Sequence, residues 1–375
     1  MFRIGVIGYG KRINAIADLL VNSEKCKIAA IADKDPERVK TRFPHLKSEI
    51  AYYSDAEKML KEEKLDGVLV GTRCGSHTEY AVLVSGYGLP LFLEKPVCTT
   101  YEDLLRLKSI LPKMNERTVV SFPLRTALIV ERVKEIANSD RVGRLTQIQA
   151  YNNVPYGGNY FHKWYKDVDE TGGMFLQKAT HDLDYIRYVT GLLPKRVCAM
   201  KAQTVYGGER APGLRCSDCP DVKTCTETPI VENAKNDVEI YDNCSFTGDI
   251  RVEDTGSAIV ELEGGVHVTY VQNFITRKGA QKRGARFIGY NGTAEFDFYT
   301  GVIHVFDHFG ENDEVIEITD DGSHFGGDKF LADAFIDVMQ SGKPSPSPLI
   351  DGIISAEMCL AARRSSEEHI FVEIE

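Results

Sequence analysis

Residues 3–13 read RIGVIGYGKRI and decide how the first part of the chain folds. The short apolar run Arg3–Gly8 is typical of a buried strand, and it ends in a glycine pair, Gly8 and Gly10. Gly8 permits a tight turn, and Gly10 lets the backbone come close to a pyrophosphate at the start of the next helix. Ile13 takes the place of the third glycine of the G-x-G-x-x-G pattern. The stretch predicts the strand–turn–helix start of a dinucleotide-binding domain.

An acid ends the second apolar run, Lys27–Asp33. A carboxylate at this place accepts hydrogen bonds from ribose hydroxyls and repels a 2′-phosphate, so Asp33 favours NAD over NADP. The neighbouring cation Lys34 opposes that preference in part. Lys11 and Arg12, which follow the glycine pair, are further candidate cofactor contacts.

Strand-like and helix-like segments alternate as far as about residue 120. This alternation predicts right-handed crossovers and a doubly wound parallel sheet, an α/β Rossmann domain that we assign to residues 1–122. The further strands are predicted at Asp66–Thr72 and Pro90–Glu94, and the helices at Asn14–Leu20, Asp55–Glu63 and Ser76–Ser85.

The pattern changes after residue 123, where strands follow one another through turns such as Asn291-Gly292. Successive hairpins predict an α+β domain, 123–375, with a large and mostly antiparallel sheet. Residues 207–245 are rich in Gly, Pro, Asp and Cys and are interpreted as an insertion, and a last helix at 351–365 could pack back on the first domain. The strands are predicted at Leu145–Asn153, Lys195–Tyr206, Gly256–Glu263, Val266–Thr276, Ala285–Tyr290 and Ala294–Tyr299.

The composition excludes several classes of partner. The net charge of −10 and the lack of a basic cluster give no attraction to nucleic acid or to anionic membranes. No apolar run is long enough for a transmembrane helix, and the N-terminus does not have the pattern of a signal peptide. Nine cysteines, mostly scattered, are typical of a reducing compartment, so a cytoplasmic location is expected.

Several short motifs stand in a fixed order along the chain. They are Gly8-Tyr9-Gly10, Gly71-Thr72 with His77, Glu94-Lys95-Pro96, Ser121-Phe122-Pro123-Leu124-Arg125, Gly172-Gly173 with His181-Asp182-Leu183-Asp184, and Ser347-Pro348 with Asp351-Gly352. As a set they resemble the Gfo/Idh/MocA oxidoreductases, the glucose–fructose oxidoreductase and inositol dehydrogenase group. The resemblance implies hydride transfer between a nicotinamide cofactor and a sugar, a polyol or one of their derivatives. It also implies a homodimer or homotetramer.

The resemblance assigns Lys95 as the active-site lysine, beside the nicotinamide and in reach of the substrate. Alcohol oxidation needs a base for the hydroxyl proton, and a desolvated lysine has a lowered pKa that suits this task. Thr72, His77 and Glu94 are expected to contact the cofactor together with Lys95.

His181 matches the family's catalytic histidine. Its usual partner is an aspartate one helical turn earlier, and here Gln177 stands at that position. Glutamine can orient the imidazole by a hydrogen bond, but it cannot hold a proton as a carboxylate does. Lys178 is a candidate for binding a substrate carboxylate or hydroxyl, whereas Asp182 and Asp184 are interpreted as structural.

Other residues are candidate substrate contacts. Arg125 lies between the two domains in sequence, and Tyr160, His162 and Trp164 precede the Gly-Gly pair; aromatic faces stack well on sugar rings. Asp328 is predicted to cap the penultimate helix.

Four cysteines in the insertion have metal-binding spacing. Cys216-x2-Cys219 is followed by Cys225 and, after eighteen intervening residues, by Cys244. Four thiolates would form a closed structural zinc site. Ordinary thiols, or disulfides formed on oxidation, are the alternatives.

Two other functions remain open at this point. The altered position Gln177 is compatible with a glycoside hydrolase that keeps NAD bound and shows no net redox turnover. A sensor that binds the dinucleotide without catalysis is the third hypothesis, although it would need neither Lys95 nor His181.

Overall fold

The computed structural model describes residues 1–46, 49–228, 242–319 and 324–375. The chain divides into two compact units, Met1–Glu131 with Asp320–Glu357, and Arg132–Thr319 with Met358–Glu375. None of the helices described is both long enough and apolar enough to span a membrane. Part of the insertion, 229–241, lies outside the described residues.

The first unit contains a six-stranded parallel sheet in the order β3-β2-β1-β4-β5-β6. This is the strand order of a dinucleotide-binding domain, and it reverses between β1 and β4. The strands are β1 (Phe2–Ile7), β2 (Cys26–Ala32), β3 (Ala51–Tyr53), β4 (Gly67–Val70), β5 (Leu91–Leu93) and β6 (Thr118–Val120). The helices are α1 (Lys11–Asn22), α2 (Pro36–Arg42), α3 (Ala56–Glu62), α4 (His77–Tyr87) and α5 (Tyr101–Met114).

Ile13 makes α1 fit against the sheet without the third glycine. Its side chain is fully buried, and it lies over Gly71, where an added Cβ would come within 2.5 Å of the Ile13 Cβ. The glycine that normally allows this close approach is therefore on the strand side instead of the helix side. A late helix, α10 (Gly327–Ser341), packs on α1 in the same core through Leu331 and Phe335. For that reason part of the predicted second domain belongs to the first unit.

The second unit contains a nine-stranded sheet in the order β14-β13-β12-β11-β7-β10-β9-β8-β15. Only β7 and β10, near its middle, pair in parallel. The predicted fold class is therefore confirmed. The strands are β7 (Leu145–Asn153), β8 (Pro194–Ala202), β9 (Thr255–Leu262), β10 (His267–Asn273), β11 (Lys282–Gly289), β12 (Gly292–Asp297), β13 (Val302–Asp307), β14 (Glu314–Glu317) and β15 (Val372–Glu373).

The helices of the second unit include one with an irregular first turn. Residues Phe175–Ala179 form a π-helical turn that continues directly into α9 (Thr180–Thr190). Such turns occur often at functional sites. The other helices are α6 (Leu128–Ala137), which begins in the first unit, the single turns α7 (Gly158–Phe161) and α8 (Val168–Thr171), and α11 (Leu349–Glu368), which runs from the first unit into the second.

Candidate functional site

The carboxyl ends of four parallel strands bring the predicted cofactor residues to one edge of the first sheet. Gly8 follows β1, Asp33 follows β2, Thr72 follows β4, and Lys95 follows β5. Ligands of open parallel sheets bind at this edge, where the strand order reverses. The structure thus brings these four residues together as the sequence predicts.

The glycine loop is shaped for close approach. Gly8 has a φ of 76°, and an added Cβ would meet the Thr72 backbone at 2.7 Å. At Gly10, an added Cβ would meet nothing within 4 Å. Gly10 is also the N-cap residue of α1 and has no side chain to cap its N–H groups. Open space over uncapped amides suits the pyrophosphate of a dinucleotide.

Asp33 is held in place by several hydrogen bonds. Its carboxylate accepts from the backbone N–H of Tyr9 at 2.9 Å and from that of Asp35 at 3.0 Å. The guanidinium of Arg38 lies 3.2 Å from both carboxylate oxygens. The acid predicted to contact the ribose is therefore fixed, and its charge is partly balanced by Arg38, a contact that the sequence analysis missed.

The Arg12 side chain is bound by other side chains of the first unit. Its guanidinium donates to Glu94 at 3.0 Å, to Ser121 at 3.0 Å and to Asp328 at 2.6 Å. Two carboxylates thus compete with any phosphate for this cation, and Glu94, also predicted to contact the cofactor, is buried against it. Lys11, by contrast, is exposed at the start of α1.

The prediction that Asp328 caps its helix is wrong. The N-cap of α10 is Gly326, and no side chain caps it. The Asp328 carboxylate instead lies between Arg12 and the His324 ring, which is 2.7 Å away. Burial alone would raise the pKa of Asp328, but the hydrogen bonds from these two groups outweigh it and hold the pKa well below its usual range.

His77 supports the chain next to Lys95. The ring is buried, with Nδ1 2.7 Å from the carbonyl oxygen of Pro96 and Nε2 3.1 Å from that of Thr72. Burial lowers its pKa. Lys95 itself is half-buried and joined to Pro96 by a cis peptide bond. His77 therefore contacts the loops that carry Thr72 and Lys95.

Arg125 does not match its predicted role as a substrate contact. Its side chain is 1% exposed, and it forms an ion pair of 2.5 Å with Asp351. A buried guanidinium that already has a carboxylate partner serves the packing of the first unit. We therefore leave Arg125 out of the candidate site.

In the second unit, Gln177, Lys178 and His181 lie on the π-helical turn and the first turn of α9. Gly172 and Gly173, both with positive φ, lead into this helix. The backbone N–H of Phe175, at its start, donates to the buried carboxylate of Glu253 at 2.9 Å. Gln177 and Lys178 are buried, and His181 is half-buried.

Lys178 is surrounded by tyrosines. Its ammonium donates to the Tyr156 hydroxyl at 2.8 Å and lies 4.9 Å from the centre of the Tyr156 ring and 5.4 Å from that of Tyr160. Burial lowers its pKa, but the two phenols raise it more, so the pKa lies above the ordinary value. Lys178 is therefore a buried cation.

Asp182 has the structural role expected of it. It is fully buried and accepts hydrogen bonds from Asn152 at 2.7 Å, Tyr270 at 2.9 Å and Arg283 at 2.8 Å. Because its charge is paired with that of Arg283, Asp182 cannot replace the aspartate that the family resemblance leads us to expect at position 177. Asp184 is also buried.

The aromatic residues before the Gly-Gly pair pack on one another. Trp164 stacks on Tyr165 with ring centres 4.0 Å apart, and Tyr165 in turn packs on Tyr160. His162 is buried, and its Nδ1 is 2.5 Å from the carbonyl oxygen of Asn243. His162 thus ties this loop to the insertion, whereas Trp164 stays half-buried.

The four cysteines of the insertion line one cavity together with His162 and Arg210. All four are free thiols, and an Arg210 N–H lies 2.7 Å from the Cys219 sulfur. Burial, reinforced by the neighbouring thiols, raises the pKa of Cys216 to about 12. No group of three or more His, Cys, Asp or Glu side chains is arranged to hold a metal ion in the described ranges. The predicted zinc site is therefore not preformed.

A sheet edge that carries a glycine loop and Asp33, with Lys95 after β5, is typical of a nicotinamide-dependent oxidoreductase. Residues 2–122 match the family model of the oxidoreductase family with an NAD-binding Rossmann fold, and residues 130–295 match the GFO/IDH/MocA C-terminal domain. The chain belongs to the Gfo/Idh/MocA family of NAD-dependent oxidoreductases, as its motifs predict.

Relatives and solved structures agree with this assignment. An oxidoreductase named YteT from Bacillus subtilis is 26% identical over 349 residues, which cover 81% of each chain. Inositol 2-dehydrogenase of Pseudomonas fluorescens is 24% identical over 270 residues, 68% of this chain and 72% of that one. An Agrobacterium radiobacter oxidoreductase, solved with NAD+, L-tartaric acid and magnesium, shares the fold with a TM-score of 0.73. It is 16% identical and covers 99% of this chain and 98% of its own.

Proposed function

We propose that this protein transfers a hydride between NAD and a hydroxyl-bearing carbon of a sugar, a polyol or a derivative of one. The observation that carries the proposal is the position of Lys95, which shares one sheet edge with the glycine loop and with Asp33. The inositol dehydrogenase among its relatives acts on a polyol, which supports the substrate class. A dinucleotide sensor would have no need for a lysine at this edge.

The residues have distinct roles in this mechanism. Bound NAD supplies the hydride acceptor. Gly8 and Gly10 give its pyrophosphate room, and Asp33 accepts hydrogen bonds from its ribose. Lys95 takes the proton of the reacting hydroxyl, and His181 is the candidate for a second acid–base group.

The test is the absorbance of reduced nicotinamide with NAD and a panel of sugars, inositols and sugar acids, with product analysis in parallel. Accumulation of NADH with at least one substrate, and of the matching ketone or lactone, is expected. Binding of NAD without any redox turnover across the panel would contradict the proposal and favour the sensor.

A glycoside hydrolase that reuses its NAD is the second candidate. Gln177 supports it, because the proton-holding aspartate of the family is absent at that position. Such an enzyme oxidises a ring hydroxyl with its bound NAD, eliminates the aglycone, adds water to the double bond that is left and reduces the carbonyl with the same NADH. The same assay with glycosides separates the two, since cleavage without NADH accumulation would favour the hydrolase.

We also infer that the insertion binds one structural zinc ion through Cys216, Cys219, Cys225 and Cys244. Support comes from their spacing and from the cavity that they share, into which metal binding would have to draw the four sulfurs closer. Elemental analysis of protein made without added metal should give about one zinc per chain. A Cys219→Ser variant should lose it and a Cys198→Ser control should keep it, whereas metal-free wild-type protein would contradict the site.

Two further expectations concern the setting of the enzyme. A cytoplasmic location follows from the cysteine usage of the chain, and a homodimer or homotetramer follows from the family resemblance. Light scattering on the purified protein tests the second, because a monomer over a wide concentration range would contradict it.

A further inference from the structure

Lys178 is a buried cation without a matching carboxylate among the residues that the structure describes. Its side-chain contacts include the hydroxyl of Tyr156, a hydrogen bond with Tyr160 and the ring faces of both tyrosines, and the whole residue is 6% exposed. Lysines are almost never buried to this extent unless they are paired. An ammonium that lacks a counter-charge in the protein is a strong attractor for an anion from outside.

The acids near this helix are engaged elsewhere. Asp182 is paired with Arg283 at 2.8 Å, and Glu253 accepts the backbone N–H of Phe175 at the helix start. The positive charge of Arg283 also acts on Lys178. Among the described residues, these acids therefore do not cancel the charge of Lys178.

Tyr156 is polarised by the Lys178 ammonium and is therefore a stronger hydrogen-bond donor to a ligand. Its hydroxyl accepts a hydrogen bond from Lys178, so its own proton points to an acceptor other than the ammonium. A negatively charged acceptor gains most, because the ammonium lies directly behind the phenol. Tyr156 is 44% exposed, so the pair is open to solvent on this side.

The neighbouring position strengthens the argument. Where the family has an aspartate, this chain has Gln177, which brings no negative charge next to Lys178. A negative charge on this helical turn would oppose an incoming anion. The neutral glutamine at 177 and the lysine at 178 thus both favour an anionic ligand.

We propose that Lys178 and Tyr156 bind a carboxylate of the substrate, so that the protein acts on acidic sugars or polyols in preference to neutral ones. A monoanion such as a carboxylate fits, because it would match the single charge of the Lys178 ammonium. This inference rests on the proposed function and names its substrate class.

The experiment compares matched neutral and acidic substrates. Glucose is paired with glucuronate and galactose with galacturonate, and kcat/KM is measured with NAD for wild type and for Lys178→Met, which keeps a long side chain but removes the charge. We expect wild type to prefer the acid. The variant should lose roughly 10- to 100-fold with the acid and change little with the neutral sugar.

Lys166→Met is the matched control. Lys166 is also a largely buried lysine of the second unit, but it has its own counter-ion, Asp249, at 3.0 Å. Its replacement should leave the preference for the acid intact. Lys178→Arg keeps the charge and should retain most of the preference, which guards against a loss that comes only from misfolding of Lys178→Met.

Two kinetic outcomes would overturn the inference. The first is a wild-type enzyme that prefers the neutral sugars or the matching sugar phosphates. The second is a Lys178→Met variant in which kcat/KM falls equally for the uronate and for its neutral sugar. Calorimetric titration of galacturonate into NAD-loaded protein separates this inference from the proposed function. Binding that depends on Lys178 without redox turnover would leave the inference standing and remove the dehydrogenase, and no binding would remove the inference.

Discussion

The cofactor edge of the first unit and the Gly-Gly helix of the second unit differ in how closely they follow their family. At the cofactor edge the glycine loop, Asp33 and Lys95 are all in their expected places. On the helix, the family aspartate has become Gln177, and a buried cation, Lys178, stands beside it. We therefore expect the cofactor edge to set the hydride chemistry and the Gly-Gly helix to set the substrate selectivity.

The largest expected effect concerns Lys95, at the cofactor edge of the first unit. Lys95→Ala should lower kcat by about 10²–10⁴, because it removes the group that takes the hydroxyl proton, while NAD still binds. Steady-state kinetics and NAD fluorescence titration measure the two effects separately. Lys58→Ala, which removes an exposed lysine of the same unit, is the control. Turnover close to wild type in Lys95→Ala would remove this lysine from the mechanism.

A smaller effect is expected where Asp33 contacts the ribose. Asp33→Asn keeps the shape and one acceptor for the Tyr9 amide but removes the charge. NAD affinity should fall roughly tenfold, and NADP affinity should fall less or rise, because a 2′-phosphate is no longer repelled. Dissociation constants for both cofactors check this. Equal losses for NAD and NADP would show that Asp33 only supports the loop.

The fold could be predicted from the sequence because its signals are local. A glycine pair after a short apolar run and alternating strands and helices are patterns within a few residues of one another. Three residues give no periodicity, so β3 and β6 escaped, whereas the equally short β5 was predicted from the apolar run at Pro90–Glu94. The role of Ile13 also escaped, since its compensation by Gly71 depends on packing between distant segments.

The site was less accessible to prediction where a role depends on a partner. Arg125 was expected to contact substrate, but its partner Asp351 is 226 positions away and invisible to spacing. Tyr156 was overlooked because it is 22 positions from Lys178 and belongs to no motif. Sequence motifs thus identify the groups that carry out the reaction, and the structure identifies the neighbours that set their charge.

On the Gly-Gly helix, the residue typical of the family can be restored at position 177. Gln177→Asp adds a negative charge to the helical turn that carries Lys178, and this charge should oppose that of an acidic substrate. The KM for a uronate should rise by roughly tenfold, with little change for the matching neutral sugar. Kinetics with glucuronate and glucose measure both. A Gln177→Glu variant that behaves in the same way would strengthen the electrostatic explanation, and an equal loss with both sugars would contradict it.

The smallest expected effect concerns Arg38, which lies against Asp33 and balances part of its charge. Because an arginine near this position accommodates a 2′-phosphate, the protein should bind NADP measurably, although less tightly than NAD. Arg38→Ala should leave NAD affinity nearly unchanged and weaken NADP by a few-fold, on the order of 1 kcal/mol. Lys40→Ala removes an equal charge from the same helix, where it pairs with Glu37, and should change neither. If NADP affinity does not respond to Arg38, the discrimination rests on Asp33 alone, and the cofactor edge follows its family at this position too.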